Sequence, residues 1–180
     1  MSDIRTLVSL RDSFLATSTI SMPLAGLIVW CALGIAALSA PPALVGWMAI
    51  YVMAAILPLA FVIDKLRGRN SFRRDDNPVS KLFFQSIIGI GLIFPLVIAA
   101  ADLADQPVIM VLGVAILAGI VWIPYGWAAD DPAGMRHAII RSVGCYLAFW
   151  LVPQPYKAST ICIAVALSYA FSLATMRKPA

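Results

Sequence analysis

A long uncharged run near the amino terminus constrains the fold of this chain more than any other feature. Every residue from Ser13 to Ile63 is uncharged. About 20 helical residues cross a bilayer core of about 30 Å, so this run is long enough for two membrane-spanning helices. Ala40-Pro41-Pro42 lies near its middle, and we expect a turn there because proline cannot continue a helix.

Further uncharged segments follow, and together they predict an all-α protein, a polytopic transmembrane helical bundle of six spans. Charged residues make up 12% of the chain, about half the share that is typical of soluble domains. The segments lack the alternation of polar and apolar residues that marks the strands of membrane barrels. The spans are expected at about 20–40, 43–63, 79–101, 107–128, 133–152 and 158–176.

The first residues predict a short amphipathic helix ahead of the spans. Five apolar residues recur at helical spacing within residues 1–16: Ile4, Leu7, Val8, Phe14 and Leu15. Such a helix can lie in the headgroup plane of a membrane. The alternative is an extended first span. We therefore divide the chain into an interfacial helix, 1–16, and a transmembrane domain, 17–178.

The basic residues predict the orientation of the bundle. Of the 13 Lys and Arg residues, all but Lys157 fall at the termini, in the second and fourth loops, or in the first half of span five. Positive charge is retained on the cytoplasmic side, so both termini are expected in the cytoplasm, with the chain in the cell (inner) membrane. This sorting explains the net charge of +4 without a nucleic-acid partner.

The loop 64–76 and two proline pairs supply local expectations. The loop is rich in Lys and Arg and is a candidate site for anionic lipid headgroups, although its charge is also explained by topology alone. Asn77-Pro78 and Asp131-Pro132 each place a capping side chain before a proline, which is the pattern of a helix start. Span three is thus expected to begin near Pro78 and span five near Pro132.

Three short runs resemble a known kind of family: Asn77-Pro78 with Lys81-Leu82-Phe83-Phe84-Gln85, Pro95-Leu96-Val97-Ile98, and Pro124-Tyr125-Gly126-Trp127. They are similar to a family of small, functionally uncharacterised bacterial multi-span membrane proteins. The resemblance covers most of the chain. It implies a bacterial cytoplasmic membrane and a compact helical bundle, and it brings no activity and no functional residues.

The sequence offers no pattern for catalysis, a cofactor or a metal. It contains neither a Ser/His/Asp set nor H-E-x-x-H nor a glycine-rich phosphate loop. The three cysteines lie inside predicted spans without metal-ligand spacing: Cys31, Cys145 and Cys162. We therefore expect a protein that is not an enzyme and that has no catalytic residues, no metal ligands and no cofactor.

Arg141 is the residue that most strongly suggests a function. It lies well inside span five, where an ionised arginine costs about 2.5–3.5 kcal/mol or more unless it is paired or hydrated. Spans one to four and span six contain no ionisable Asp, Glu, Lys, Arg or His in their interiors. One interpretation is an anion-accepting crevice on the cytoplasmic side; the other is an arginine that snorkels to the headgroups, or a shorter span.

The other candidate ligand-binding residues are chosen for their position near the cytoplasmic side: His137, Gln85, Ser86 and Tyr125. Pro58, Pro95 and Pro124 interrupt three spans and could bound a central cavity, although proline is also common in membrane helices. Aromatic residues form two groups that are typical of interfacial belts: Trp47, Trp150 and Tyr156 at the outer side, and Trp122, Tyr125 and Trp127 at the inner side.

Two functions remain open at this point. The first is a small-solute or anion transporter, or a channel-like protein, with a cytoplasmic-side cavity near Arg141. The second is a structural or accessory membrane protein, such as a small subunit or a lipid-binding scaffold. The expected partner in both cases is the lipid bilayer, and the sequence leaves open whether copies of the chain form a homo-oligomer.

Overall fold

Helices and turns make up the computed structural model, which describes residues 6–18, 20–68 and 76–177. No strand occurs in these ranges. The helices are α1 (Leu7–Thr17), α2 (Ser21–Ala36), α3 (Pro42–Leu66), α4 (Pro78–Gly91), α5 (Phe94–Leu103), α6 (Val108–Ile120), α7 (Trp122–Ala129), α8 (Ala133–Leu151) and α9 (Lys157–Thr175).

Four of these segments are long and apolar enough to cross a membrane. They are α3, α9, and two nearly continuous pairs, α4 with α5 and α6 with α7. A fifth is obtained if α1 and the short α2 are counted as one bent span. Helix α8 does not qualify, because Arg136, His137 and Arg141 lower its hydropathy. The all-α fold is therefore confirmed with four to five candidate spans, and a count of six is not.

Of the three prolines predicted to lie within spans, two break their helices. In both cases the helix ends four residues before the proline, where a steric clash is expected. A proline ring clashes with the carbonyl four residues earlier. Helix α4 ends at Gly91, four residues before Pro95, and α6 ends at Ile120, four residues before Pro124. Pro58, in contrast, lies inside the continuous helix α3.

Both predicted helix starts are confirmed. Asn77 accepts a hydrogen bond from the Val79 amide at 2.9 Å, and α4 begins at Pro78. Asp131 Oδ1 accepts from the Ala133 amide at 2.8 Å, where α8 begins. The second Asp131 oxygen accepts from the Arg177 amide at 2.6 Å, so one carboxylate joins the start of α8 to the chain that leaves α9.

The amino-terminal helix packs on the bundle instead of standing apart from it. Phe14 and Leu15 are buried in a cluster with Phe83 of α4 and Ala128 of α7. Arg11 donates to Asp130 at 2.9 Å. Of the remaining apolar residues that suggested an amphipathic helix, Leu7 and Val8 are exposed, and Ile4 lies outside the described residues, as do residues 69–75 of the 64–76 loop.

Close backbone contact holds α7 against α8. A Cβ atom at Gly134 would lie 2.2 Å from the Trp122 carbonyl oxygen and 2.5 Å from the Gly126 Cα. Only glycine at both positions allows this approach. Helix α8 also packs against α9 and α6, and α9 packs against α2, which in turn packs against α3. The α4–α5 pair lies at the periphery and exposes Leu92 and Leu96.

Candidate functional site

Arg141 lies in the middle of the bundle. Its relative exposure is 0%, and α8 begins eight residues earlier, at Ala133. At 1.5 Å per residue, its Cα is about 12 Å along the helix from that end. The side chain points into the bundle, which is the orientation expected for an arginine that does not snorkel.

Two aromatic rings and a glycine surround the Arg141 side chain. The guanidinium Cζ lies 5.3 Å from the ring centroid of Trp30 in α2 and 5.2 Å from that of Tyr169 in α9. Both distances fall within the range of cation–π attraction. Gly119 of α6 makes room for the aliphatic part, because a Cβ there would lie 2.9 Å from Arg141 Cδ. We call these residues the Arg141 cage.

The guanidinium has no hydrogen-bond acceptor in the part of the chain that the structure describes. Nε, Nη1 and Nη2 are all buried and all without a partner. The ion pairs found in that part of the chain lie elsewhere, between Arg11 and Asp130, Lys81 and Asp76, and Arg177 and Asp12. Buried charges in proteins are normally paired and hydrogen-bonded, so this arrangement is chemically incomplete without a further acceptor.

Trp30 also has a buried hydrogen-bond donor without an acceptor. It is fully buried, and its indole Nε1, which can only donate, makes no hydrogen bond to any described residue. Buried Trp N–H groups usually find a partner. No feature of the sequence marked Trp30 as a site residue, because its relation to Arg141 depends on the packing of α2 and α8 against the same helix, α9.

His137 lies one turn before Arg141 on the same face of α8. Its Nδ1 is 2.7 Å from the Ser172 hydroxyl of α9. The imidazole stacks on Trp122 at a centroid distance of 4.0 Å and an interplanar angle of 14°, and it meets Tyr169 edge-on at 5.1 Å. Tyr169 therefore contacts both His137 and Arg141 and joins them in one cluster.

The other residues predicted for the site are not brought to the guanidinium. Gln85 is exposed on α4, and Ser86 donates to the Leu82 carbonyl within its own helix. Tyr125 packs edge-on against Trp122 at 5.4 Å and against Phe14 at 5.9 Å. It thus connects the α1 cluster to the ring that stacks on His137, but it makes no hydrogen bond with Arg141.

The aromatic residues divide differently from the two predicted belts. Trp47, Trp150 and Tyr156 are exposed, as belt residues should be, and so is Trp127. Trp122, in contrast, is buried against His137, and assigning it to the inner belt was wrong. Sequence position gives the depth of a ring in the bilayer but not the direction it faces around the helix.

The cysteines and acidic residues form no metal site in the described ranges. No group of three His, Cys, Asp or Glu side chains there could hold a metal ion. Cys145 and Cys162 are buried free thiols, and Cys31 is exposed. A pocket of about 320 Å³ lies between the α2–α3 turn and the α8–α9 turn, lined in part by Pro41, Val108 and Gln154, and Arg141 does not line it.

These features define a class: a bundle of apolar, membrane-type helices with one caged arginine in its interior. The chain belongs to a family described as "Family of unknown function (DUF7010)", whose model matches residues 11–178. Neither the curated proteins nor the solved structures contain a match to it. The four to five apolar helices indicate a membrane-embedded protein. The family description names no source organism and no membrane, so the bacterial source and the cytoplasmic membrane stay predictions.

Proposed function

We propose that the chain is a six-span protein of the cell (inner) membrane with both termini in the cytoplasm. In this topology α8 is the remaining span, and its charged residues are compatible with lipid because His137 and Arg141 face the bundle. One end of the bundle collects the start of α4, the end of α7, the start of α8 and the end of α9, through contacts of Asn77 with Leu10 and of Asp131 with Arg177. Of the described basic residues, four lie at that end, as cytoplasmic loops require: Arg11, Lys81, Arg136 and Arg177.

Cysteine labelling tests this topology. In a Cys31→Ser background, we expect Asp102→Cys to react with a membrane-impermeant maleimide in intact cells. Lys65→Cys should react only after the cells are permeabilised. Lys65 lies in the last turn of α3, which is the cytoplasmic end of that span in the proposed topology, whereas Asp102 lies at the outer end of α5. Both native positions are exposed, so accessibility to the reagent depends on the side of the membrane. Labelling of both positions in intact cells would contradict the topology.

We further propose that the protein binds a small anion at Arg141 and conducts or transports it. The observation that supports this is the fully buried guanidinium whose nitrogens find no acceptor among the described residues. A protein side chain that stays charged at this depth needs a compensating partner. An anion supplies both the opposite charge and the missing acceptors, and arginine is suited to forked recognition of oxyanions.

The position of α1 suggests how access to Arg141 is controlled in such a protein. From Phe14 the edge-on ring contacts run through Tyr125 and Trp122 to the stacked His137. These rings connect α1, at the basic end of the bundle, to His137, which lies one turn from Arg141. An anion that enters from this end must displace them, and release of α1 by loss of the Arg11–Asp130 contact is one way to do so.

Anion flux in proteoliposomes tests the transport proposal. We expect wild-type protein to carry nitrate or formate across the vesicle membrane, and Arg141→Gln to reduce the flux at least tenfold, because a charge-assisted hydrogen bond contributes about 1.5–3 kcal/mol. Arg136→Gln is the matched control, since it removes the same charge from an exposed position on the same helix. Equal flux in wild type and Arg141→Gln would refute the proposal.

A structural or accessory role is the second candidate, and the packing of the Arg141 cage favours it. Two aromatic faces already attract the guanidinium, so the arginine could serve only to fix α2, α8 and α9 against one another. The exposed apolar face of α4 and α5 would then contact lipid, a partner subunit or a second copy of the chain. Anionic headgroups at loop 64–76 remain a proposed partner in either role.

A further inference from the structure

The Arg141 cage contains two unpartnered donors that come from different helices. Arg141 in α8 offers Nε, Nη1 and Nη2, and Trp30 in α2 offers Nε1. Both side chains are fully buried, and the guanidinium carbon lies 5.3 Å from the Trp30 ring centroid. The guanidinium and the indole that carries the second donor are therefore neighbours in the interior of the bundle.

All of these nitrogen atoms are hydrogen-bond donors only. Guanidinium and indole nitrogens donate hydrogen bonds and accept none. Leaving a buried donor without an acceptor is unfavourable, and here two residues share the deficit at one place. A ligand that both donates and accepts would leave its own donors unpaired against this pair, whereas a ligand made only of acceptors satisfies both residues.

The charge of the cage limits the ligand further. Arg141 contributes one positive charge, and no carboxylate lies within ion-pair distance of it in the described part of the chain. One negative charge on the ligand therefore neutralises the site. A second would be left uncompensated among buried apolar side chains, where an unpaired charge is strongly disfavoured.

We infer that Trp30 is a second donor of the anion site, and that the site selects a small monovalent anion whose exposed atoms are all acceptors, such as a carboxylate or nitrate. This inference rests on the proposed anion-binding function and goes beyond it by naming the second ligand-binding residue and the ligand class. Trp30 acts in two ways: its ring face attracts the guanidinium, and its N–H contacts the anion.

Trp30→Phe separates these two contributions, because phenylalanine keeps an aromatic face and removes the N–H. The measurement is the rise in thermal unfolding temperature when formate or nitrate replaces gluconate, a bulky polyhydroxylated anion, at constant ionic strength. Ligands that bind only the folded state raise this temperature with concentration. Using the shift instead of the absolute temperature removes any effect of the smaller ring on packing.

We expect formate and nitrate to raise the unfolding temperature more in the wild type than in Arg141→Gln. Sulfate and neutral formamide should shift both proteins equally, because excluded salts such as sulfate stabilise folded proteins without a binding site. In Trp30→Phe the apparent Kd for formate should be about tenfold to a hundredfold weaker, as expected for loss of one hydrogen bond to a charged group. Trp150→Phe is the matched control, since it removes an indole from an exposed position on α8.

The possible failures are distinguishable. If Arg141→Gln abolishes the formate response while Trp30→Phe keeps wild-type affinity, Trp30 is not a donor of the site and the anion-binding function stands. A sulfate shift that is as large as the formate shift and is lost in Arg141→Gln would overturn the assignment of a monovalent ligand. If the wild type does not respond to any anion, or if Arg141→Gln responds as the wild type does, both the inference and the proposed function are wrong.

Discussion

Arg141→Met is expected to abolish the response to anions and, at the same time, to make the anion-free protein more stable. An arginine at the centre of a membrane helix costs about 2.5–3.5 kcal/mol, and methionine of similar length removes that cost. The loss of two cation–π contacts opposes the gain. Because both distances lie near the outer limit of the interaction, each contact is expected to contribute about 1 kcal/mol, which is about half the value of a close desolvated contact. The net gain is then about 0.5–1.5 kcal/mol, measured by thermal or chemical unfolding in detergent.

The sign of this change separates the two candidate functions. If Arg141 is a structural element that holds three helices together, its replacement by methionine should destabilise the bundle. If it is kept for a ligand, the anion-free protein should gain stability and lose function, which is a common trade-off at functional sites. Arg136→Met serves as the control, because its exposed position carries no such burial cost.

Arg141→Lys extends the same comparison. Lysine preserves the charge but lacks the planar fork that contacts two oxygens, so we expect weaker anion binding than the retained charge alone would suggest. It also stacks less favourably than arginine on aromatic faces. An Arg141→Lys variant with wild-type anion affinity would show that anion binding depends on the positive charge alone and not on the forked guanidinium.

The local features of the fold were predictable because they depend on neighbouring residues. The start of α4 follows from Asn77-Pro78, and the turn before α3 follows from the proline pair at 41–42. Arg141 faces the bundle, which is one of the two interpretations that the sequence left open, and the physical reason is that lipid cannot solvate its charge. The helix breaks before Pro95 and Pro124 follow from the clash between a proline ring and the carbonyl four residues earlier, which depends only on local sequence.

The partners of Arg141 could not be predicted in the same way. Trp30 is more than a hundred residues away in sequence, and an indole in an apolar segment looks the same whether it faces lipid or the core. One usable signal was present in α8 itself. Gly134, His137, Arg141 and Cys145 recur at three- and four-residue spacing, so small and polar residues mark the buried face of that helix.

Gly134→Ala is expected to disrupt the bundle even though it adds only one methyl group. The new Cβ would lie 2.2 Å from the Trp122 carbonyl oxygen, and 2.5 Å and 2.7 Å from the Gly126 Cα and nitrogen. All three atoms belong to the backbone, so no rotamer change relieves the clash and α7 must move away from α8. Overpacking in a core typically costs about 1–3 kcal/mol, and a clash with rigid backbone should reach or exceed the upper end.

Gly89→Ala is the control for this effect. It adds the same atom to a helix, but nothing lies within 4 Å of the position. Alanine is favoured over glycine in helix interiors by about 0.5–1 kcal/mol, so this variant should be as stable as the wild type or more so. Wild-type stability and yield of folded protein for Gly134→Ala would show that α7 and α8 are not in backbone contact.

The Gly134→Ala substitution is also expected to disturb the Arg141 cage. His137 is held between Trp122 of α7 and Ser172 of α9, and it lies one turn from Gly134 on the same helix. Separation of α7 from α8 would therefore open the ring stack before it reached Arg141. A Gly134→Ala protein that survives purification should lose the response to formate together with its stability. Gly89→Ala should retain both, because nothing lies within 4 Å of the added atom.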